Sequence, residues 1–232
     1  MLSVVVPCYN EERRLPRTVE QIERFLGARQ RPYELVLVDD GSSDGTRKLM
    51  DAAADKNEAV RIAALTHNRG KGRALALGVE TATGDEILIT DADLSTPIEE
   101  LDKLEAALKD GVGVAIGSRA LRASRVEVSQ PLYRVVMGKG FNLIVQAVLL
   151  PGIWDTQCGF KLFRGDVARR VFAHLETDGF GFDPEVLYRA RKQGVKIVEV
   201  PVVWRNSAPT KVSPVRSSLD MLTHVIRLRL RG

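Results

Sequence analysis

Cysteine is scarce in this chain of 232 residues: Cys8 and Cys158 are the only two, and they sit in unrelated motifs. A disulfide framework is not indicated, so a reducing compartment is expected, with both thiols as small, partly buried residues rather than nucleophiles. Histidine is equally sparse, and His67, His174 and His224 have no metal-ligand spacing. Two phosphate-binding signatures are missing as well. After the first apolar run, where a dinucleotide fold needs Gly-x-Gly-x-x-Gly, the chain has Cys8-Tyr9-Asn10-Glu11-Glu12, which disfavours an NAD-type oxidoreductase. Gly70-Lys71-Gly72 is too short for a Walker loop and lacks the Ser or Thr after the lysine. No internal repeat, low-complexity tract or long linker breaks the chain, so one domain over residues 1–232 is expected.

What is present is an alternation of buried-looking strands and amphipathic helices. Strands are expected near 2–6, 33–38, 60–65, 86–90 and 112–117, and helices near 12–27, 44–55, 72–82 and 97–109. That order implies an α/β fold with a mainly parallel central sheet. In such sheets ligands bind at the carboxyl ends of the strands, and three of these ends are polar. The first opens into Cys8–Glu12. The second opens into Asp39-Asp40-Gly41-Ser42-Ser43-Asp44-Gly45, where Asp44 or the serines would also cap the next helix. The fourth strand delivers Asp91-Ala92-Asp93, two hard oxygen ligands one residue apart, which suits Mg²⁺ or Mn²⁺ carrying a diphosphate. The plainer alternative is that Asp93 starts a turn and Asp91 caps the helix near Thr96-Pro97. Lys71 likewise reads either as a phosphate or base contact in a flexible turn, or as a solvated lysine at a helix N-terminus.

Taken in order, Pro7-Cys8-Tyr9-Asn10-Glu11-Glu12, Asp39-Asp40-Gly41-Ser42, Asn68-Arg69-Gly70-Lys71-Gly72, Asp91-Ala92-Asp93 and Gly117-Ser118-Arg119 make the chain resemble a family 2 glycosyltransferase of the GT-A fold. The resemblance runs from residue 2 to about residue 230. Asp155-Thr156-Gln157-Cys158-Gly159-Phe160-Lys161-Leu162-Phe163 is similar to the dolichyl-phosphate glucosyltransferase branch. It implies a Rossmann-like nucleotide-sugar-binding part over 1–120, and an acceptor-binding, membrane-proximal part with interfacial helices over 121–232. It further implies that Pro7, Tyr9 and Glu11 line the nucleotide pocket, that Asp40 contacts the base, and that Asp39 is a structural partner. Asp91 would lie by ribose and metal, and Asp93 would ligate the cation. Two residues beyond, where related mannosyltransferases often carry a glutamine that can complete the metal site, this chain has Ser95.

The implied acceptor, a polyprenyl phosphate, brings an ionised nucleophile, so no strong protein base is required. Catalysis would come from metal stabilisation of the leaving diphosphate and in-line positioning, with inversion from an α-linked donor to a β-linked product. Arg119 is the candidate to hold the acceptor phosphate and Arg134 the second, because arginine's donor fork suits phosphate. Asp155 is a candidate for sugar-hydroxyl binding or acceptor orientation, with loop architecture as the alternative, and Gln157 for a share of the sugar contact. Trp204–Lys211 reads as a loop that the resemblance implies can close over the diphosphate, with Arg205 and Lys211 as phosphate contacts.

The chain carries a formal net charge of +4, and its basic residues dominate after Leu187. No nucleic-acid module is evident, so lipid phosphate and an anionic membrane surface are the expected partners. Pro131–Leu150 has internal charges at Arg134 and Lys139, and Leu219–Leu230 is short and basic; both resemble interfacial helices rather than membrane spans, with ordinary core packing as the alternative. Met1 leads straight into an apolar strand with no secretory signal, so an active site facing the cytoplasm is expected. A separate membrane anchor protein stays open. The leading expectation is transfer of glucose from UDP-glucose to polyprenyl phosphate. GDP-mannose as donor, a glycan or lipid hydroxyl as acceptor, and a non-catalytic nucleotide-sugar-binding module remain as alternatives.

Overall fold

The computed structural model describes residues 1–128, 132–205 and 224–230, with the backbone alone at 128, 132–136 and 139. Its centre is a seven-stranded sheet in the order β3-β2-β1-β4-β7-β5-β8. The strands are β1 (Leu2–Cys8), β2 (Tyr33–Asp39), β3 (Val60–Ala64), β4 (Glu86–Ile89), β5 (Val112–Ser118), β7 (Lys161–Arg164) and β8 (Lys196–Pro201). A separate parallel pair joins β6 (Arg125–Val128) to β9 (Val203–Arg205). The five strands expected from the sequence are present within a residue or two of their expected limits. β1, β4 and β5 are predominantly apolar because both faces of the sheet are covered there, whereas β3, at the edge, carries the exposed Arg61.

That covering divides the side chains by their alternation along each strand. Val5, Val36 and Val38 point into one core, which includes residues of α3 (Lys71–Thr81), α5 (Leu132–Val148), α6 (Gly165–Phe172) and α7 (Phe182–Lys192). Val4, Val6, Leu35 and Leu37 point into the other, built with α1 (Leu15–Gly27), α2 (Thr46–Lys56) and α4 (Leu101–Ala107). In α1 the buried positions Leu15, Val19, Ile22 and Leu26 recur at three- and four-residue spacing, so one stripe faces the sheet. The expected helix over 97–109 is split into a 3₁₀ turn, Ile98–Glu100, followed by α4. Residues 224–230 are helical, and Val225 packs into the first core.

Two features of the topology place the site. Strand order reverses at β1, with β2 on one side and β4 on the other, which opens a crevice at the carboxyl ends of these strands. And β7 runs antiparallel between β4 and β5, pairing Lys161 with both Ile89 and Ile116. Its first residue therefore lies at the edge where its neighbours end. The 155–160 segment that precedes it is delivered to the same edge as Asp91 and Arg119.

Candidate active site

The loops after β1 and β2 brace each other before any ligand is considered. The Glu11 amide donates to Thr46 Oγ1 at 2.7 Å, and the Asn10 amide donates to Ser42 Oγ at 3.0 Å. Thr46, the first residue of α2, donates its amide to Asp44 at 3.0 Å, so Asp44 does serve the helix start. Pro7, next to last in β1, is half-buried, and Tyr9 just past the strand is exposed. The Glu11 carboxylate accepts a bidentate fork from Arg14 at 2.6 and 2.7 Å. Asp40 is buried and holds the next loop, accepting from Asn68 Nδ2 and from the amides of Arg69 and Gly70 at 2.8–3.0 Å. Burial pushes its carboxyl above the usual range despite these bonds. Asp39 accepts the Ser42 amide at 2.9 Å.

That Asp40-anchored loop launches α3. Gly70 has a φ of +106°, which only glycine takes without strain, and a Cβ on Gly72 would collide with the Thr177 carbonyl. α3 thus starts pressed against the 176–183 segment, with the Arg73 amide donating to the Asp178 carbonyl at 3.1 Å. Lys71 is a helix-start lysine, but it is not solvated. Its side chain is 17% exposed, its ammonium pairs with Asp91 and lies 5.6 Å from the centre of the Phe182 ring.

Asp91 and Asp93 stand just past β4 in a tight turn that Leu94 closes: it has a φ of +44° and donates its amide to the Asp91 carbonyl. Asp93 accepts the Ser95 amide at 2.9 Å, so it also shapes the turn, while Asp91 does not cap the 3₁₀ segment. Arg14 approaches Asp93 at 4.0 Å. Burial, and after it the charge of Asp91, push the Asp93 carboxyl above its ordinary range. For Asp91 burial acts in the same direction, but the charge and hydrogen bond of Lys71, with smaller help from Lys161 and Arg119, hold it below.

Arg119, one residue past β5, is gripped by Asp155. The carboxylate accepts Nε at 2.7 Å, Nη2 at 2.8 Å and the Arg119 amide at 2.8 Å, while the guanidinium stacks 5.5 Å from the Trp204 ring. Nη1 makes no hydrogen bond among the described residues. Asp155 is 2% exposed, and although burial alone would raise its pKa, the Arg119 charge and hydrogen bonds hold it down. Glu199 on β8 in turn fixes this loop, accepting the amides of Trp154 and Asp155 at 2.8 and 2.9 Å. Gln157 is half-buried in the same segment. Arg205 donates its amide to the Ser95 carbonyl at 2.7 Å, but its guanidinium pairs at the surface with Glu127 at 2.6 Å. Lys211 and the side chain of Arg134 lie outside the described residues.

A buried ion pair beneath the site escaped the sequence reading. Lys161 is 1% exposed, and its Nζ pairs with Asp183 and donates to the Cys158 carbonyl at 2.5 Å. The available signal was a lysine inside the apolar run Phe160–Phe163, a charge that needs a buried partner. Neither cysteine is in a disulfide and both are buried, and burial pushes the Cys158 thiol up, against a role for it as nucleophile.

The described residues contain no group of three or more His, Cys, Asp or Glu side chains set to hold a metal. Asp91 and Asp93 nonetheless fit a cation that takes its remaining ligands from phosphate and water, as Mg²⁺ sites commonly do. Two carboxylates one residue apart, one with its pKa raised by burial and then by the other's charge, are the donor set such an ion relieves.

Comparison with known proteins agrees with this architecture. The model of the glycosyl transferase family 2 matches residues 3–172. The chain is 36% identical over 242 residues to a dolichyl-phosphate beta-glucosyltransferase of Dictyostelium discoideum, covering 99% of this chain and 74% of that protein. It is 37% identical over 243 residues to the human dolichyl-phosphate beta-glucosyltransferase, covering 99% and 75%. The fold is also that of glucosyl-3-phosphoglycerate synthase from Mycobacterium tuberculosis, solved with Mn²⁺, UDP-glucose and phosphoglyceric acid. There the TM-score is 0.75 at 16% identity, over 99% of this chain and 79% of the other.

Proposed function

We infer the reaction from one premise: the chain belongs to glycosyl transferase family 2, on the GT-A-like α/β fold. It transfers glucose from UDP-glucose to a polyprenyl, dolichyl-type phosphate with inversion, giving a β-linked lipid-phosphate sugar. Its likeness over nearly the whole chain to dolichyl-phosphate beta-glucosyltransferases supports this donor and acceptor. The observation that carries the reading is the Arg119 fork. Two of its nitrogens are held by Asp155, and Nη1, without a partner among the described residues, is available to a ligand at the strand edge that also carries Asp91 and Asp93.

In this reading Asp91 and Asp93 hold a divalent cation, Mg²⁺ or Mn²⁺, which supplies charge stabilisation for the departing diphosphate. Arg119 receives the acceptor phosphate and aims one of its oxygens at the sugar carbon. Asp155 positions Arg119; with its pKa held down by that partner it is a poor proton acceptor, and a phosphate nucleophile does not need one. Glu199 steadies the Asp155 backbone. Pro7, Tyr9, Glu11 and Asp40 line the side where the nucleotide sits, Lys71 serves the diphosphate, and Gln157 the sugar. The part over 1–120 binds the donor and the part over 121–232 the acceptor.

Among the described residues no helix is long and apolar enough to cross a membrane. We place the enzyme peripherally at the cytoplasmic face of a membrane, where its lipid acceptor is found. The test is transfer of labelled sugar into organic-extractable lipid, comparing UDP-glucose with GDP-mannose, with Mn²⁺ or Mg²⁺ and with chelator. The expected result is metal-dependent glucosyl lipid, reduced at least about a hundredfold by Asp93→Ala. Product from GDP-mannose alone would reassign the donor, and transfer only to a hydroxyl acceptor would overturn the reading of Arg119.

A further inference from the structure

We propose that Lys71 is the resident counter-ion of Asp91 while no donor is bound, and that it must release this carboxylate as the nucleotide arrives, which couples metal binding to nucleotide binding. The inference rests on the metal-dependent reading above and deepens it. Asp91 has two oxygens to offer. Oδ2 faces Gly159, where even a methyl group has no room, and Oδ1 is the one Lys71 holds. Asp93 is differently placed. Its nearest cation is Arg14 at 4.0 Å, and that guanidinium is already committed to Glu11. One carboxylate therefore stands nearly ready for a cation, and the other is occupied.

Lys71 does not leave Asp91 without cost. It is largely enclosed, its ammonium lies over the Phe182 ring, and it sits in the first turn of α3, where the helix dipole is unfavourable to a positive charge. Drawn from Asp91 by a metal ion alone, the ammonium would keep only the more distant charges of Asp183, already paired with Lys161, and of Asp93, itself turned to the metal, and a poorly paired charge in such an enclosed place is costly. A diphosphate removes that cost. It gives the ammonium a new anionic partner beside a helix N-terminus, an environment that favours phosphate, and so frees Asp91 Oδ1. Coupling of this kind is reciprocal: the nucleotide tightens the metal by the factor by which the metal tightens the nucleotide.

The test measures Mn²⁺ binding from the electron paramagnetic resonance signal of the free ion, with and without UDP, and needs no turnover. In the wild-type protein Mn²⁺ alone should bind weakly, and saturating UDP should tighten it about tenfold or more. Lys71→Gln should bind Mn²⁺ alone at least about fivefold tighter than wild type, and the enhancement by UDP should shrink by a similar factor. Lys71→Arg, which keeps the charge, should retain the coupling. Lys71→Met keeps the stem against Phe182 and carries the same comparison if the glutamine variant does not fold. Equal Mn²⁺ affinity in wild type and the neutral variants, or an undiminished UDP effect in them, overturns the counter-ion role while leaving the metal site standing. Absence of Mn²⁺ binding by wild type even with UDP would sink the metal-dependent reading, and this proposal with it.

Discussion

Gly159 shows how a single hydrogen atom in place of a side chain organises this site. A Cβ there would run into the Asp91 carboxylate, so the 155–160 segment passes Asp91 as closely as it does only because residue 159 is glycine. The obstacle is the end of a side chain rather than backbone, and the chain can absorb the insult by turning Asp91 aside. Gly159→Ala should therefore leave thermal unfolding close to wild type while lowering sugar transfer by up to about a hundredfold, the scale of a misplacement near 1 Å. Melting curves beside initial rates check this. A large loss of stability with unchanged turnover per folded molecule would mean that the close approach serves packing alone. The same contact was hidden in the sequence. Asp91 and Gly159 both fall in quoted motifs, but 68 positions separate them, and only β7 between β4 and β5 brings them together.

At the scale of elements, Glu34 ties three segments together. One oxygen accepts from Ser3 Oγ on β1 and from the Thr83 amide and hydroxyl ahead of β4, and the other accepts from Arg61 on β3 at 2.9 Å. Burial alone would raise its pKa, but these hydrogen bonds outweigh burial and hold the carboxyl below its ordinary value. The ionised form thus favours the folded state. Its contribution is fully present above the unfolded-state value of about 4.3 and is lost as pH falls through the lower, folded-state value. Glu34→Gln should cost roughly 1–3 kcal/mol at pH 7, and the gap to wild type should close as denaturation is repeated toward and below about pH 4. Urea midpoints across that range measure it. A gap independent of pH would assign the effect to packing.

For the whole molecule, the proposed lipid acceptor raises the question of which surface would meet a membrane. On α5 Leu143 and Ile144 are exposed, the first by 66%, and within 224–230 Ile226 and Leu230 are exposed, the second by 82%. Apolar side chains beside arginines form a surface that can enter the headgroup region of an anionic bilayer. Replacing Leu143 and Ile144 together by glutamate should reduce recovery with anionic liposomes by about fivefold or more, and leave the melting temperature unchanged, because neither side chain is in the core. Undiminished sedimentation would remove α5 from the contact.

The sequence by itself determined the elements whose evidence is local. β1, β2, β4 and β5 are apolar runs bounded by turn residues, α1 and α3 show helical spacing after β1 and β3, and Asp91-Ala92-Asp93 is a candidate cation site readable from three adjacent letters. The short later elements did not declare themselves. β7 is four residues long and begins with a lysine, and the pattern of so short a run does not separate a buried antiparallel strand from a loop. The tertiary structure alone decided that β7 is inserted between two parallel strands, that Asp155 grips Arg119 across 36 positions, that Glu199 fixes the Asp155 backbone from β8, and that Lys161 is neutralised by Asp183. The physical reason is the same in each case. Periodicity and turn chemistry are properties of neighbouring residues, whereas a buried charge is satisfied by whichever partner the packed chain brings within hydrogen-bond reach.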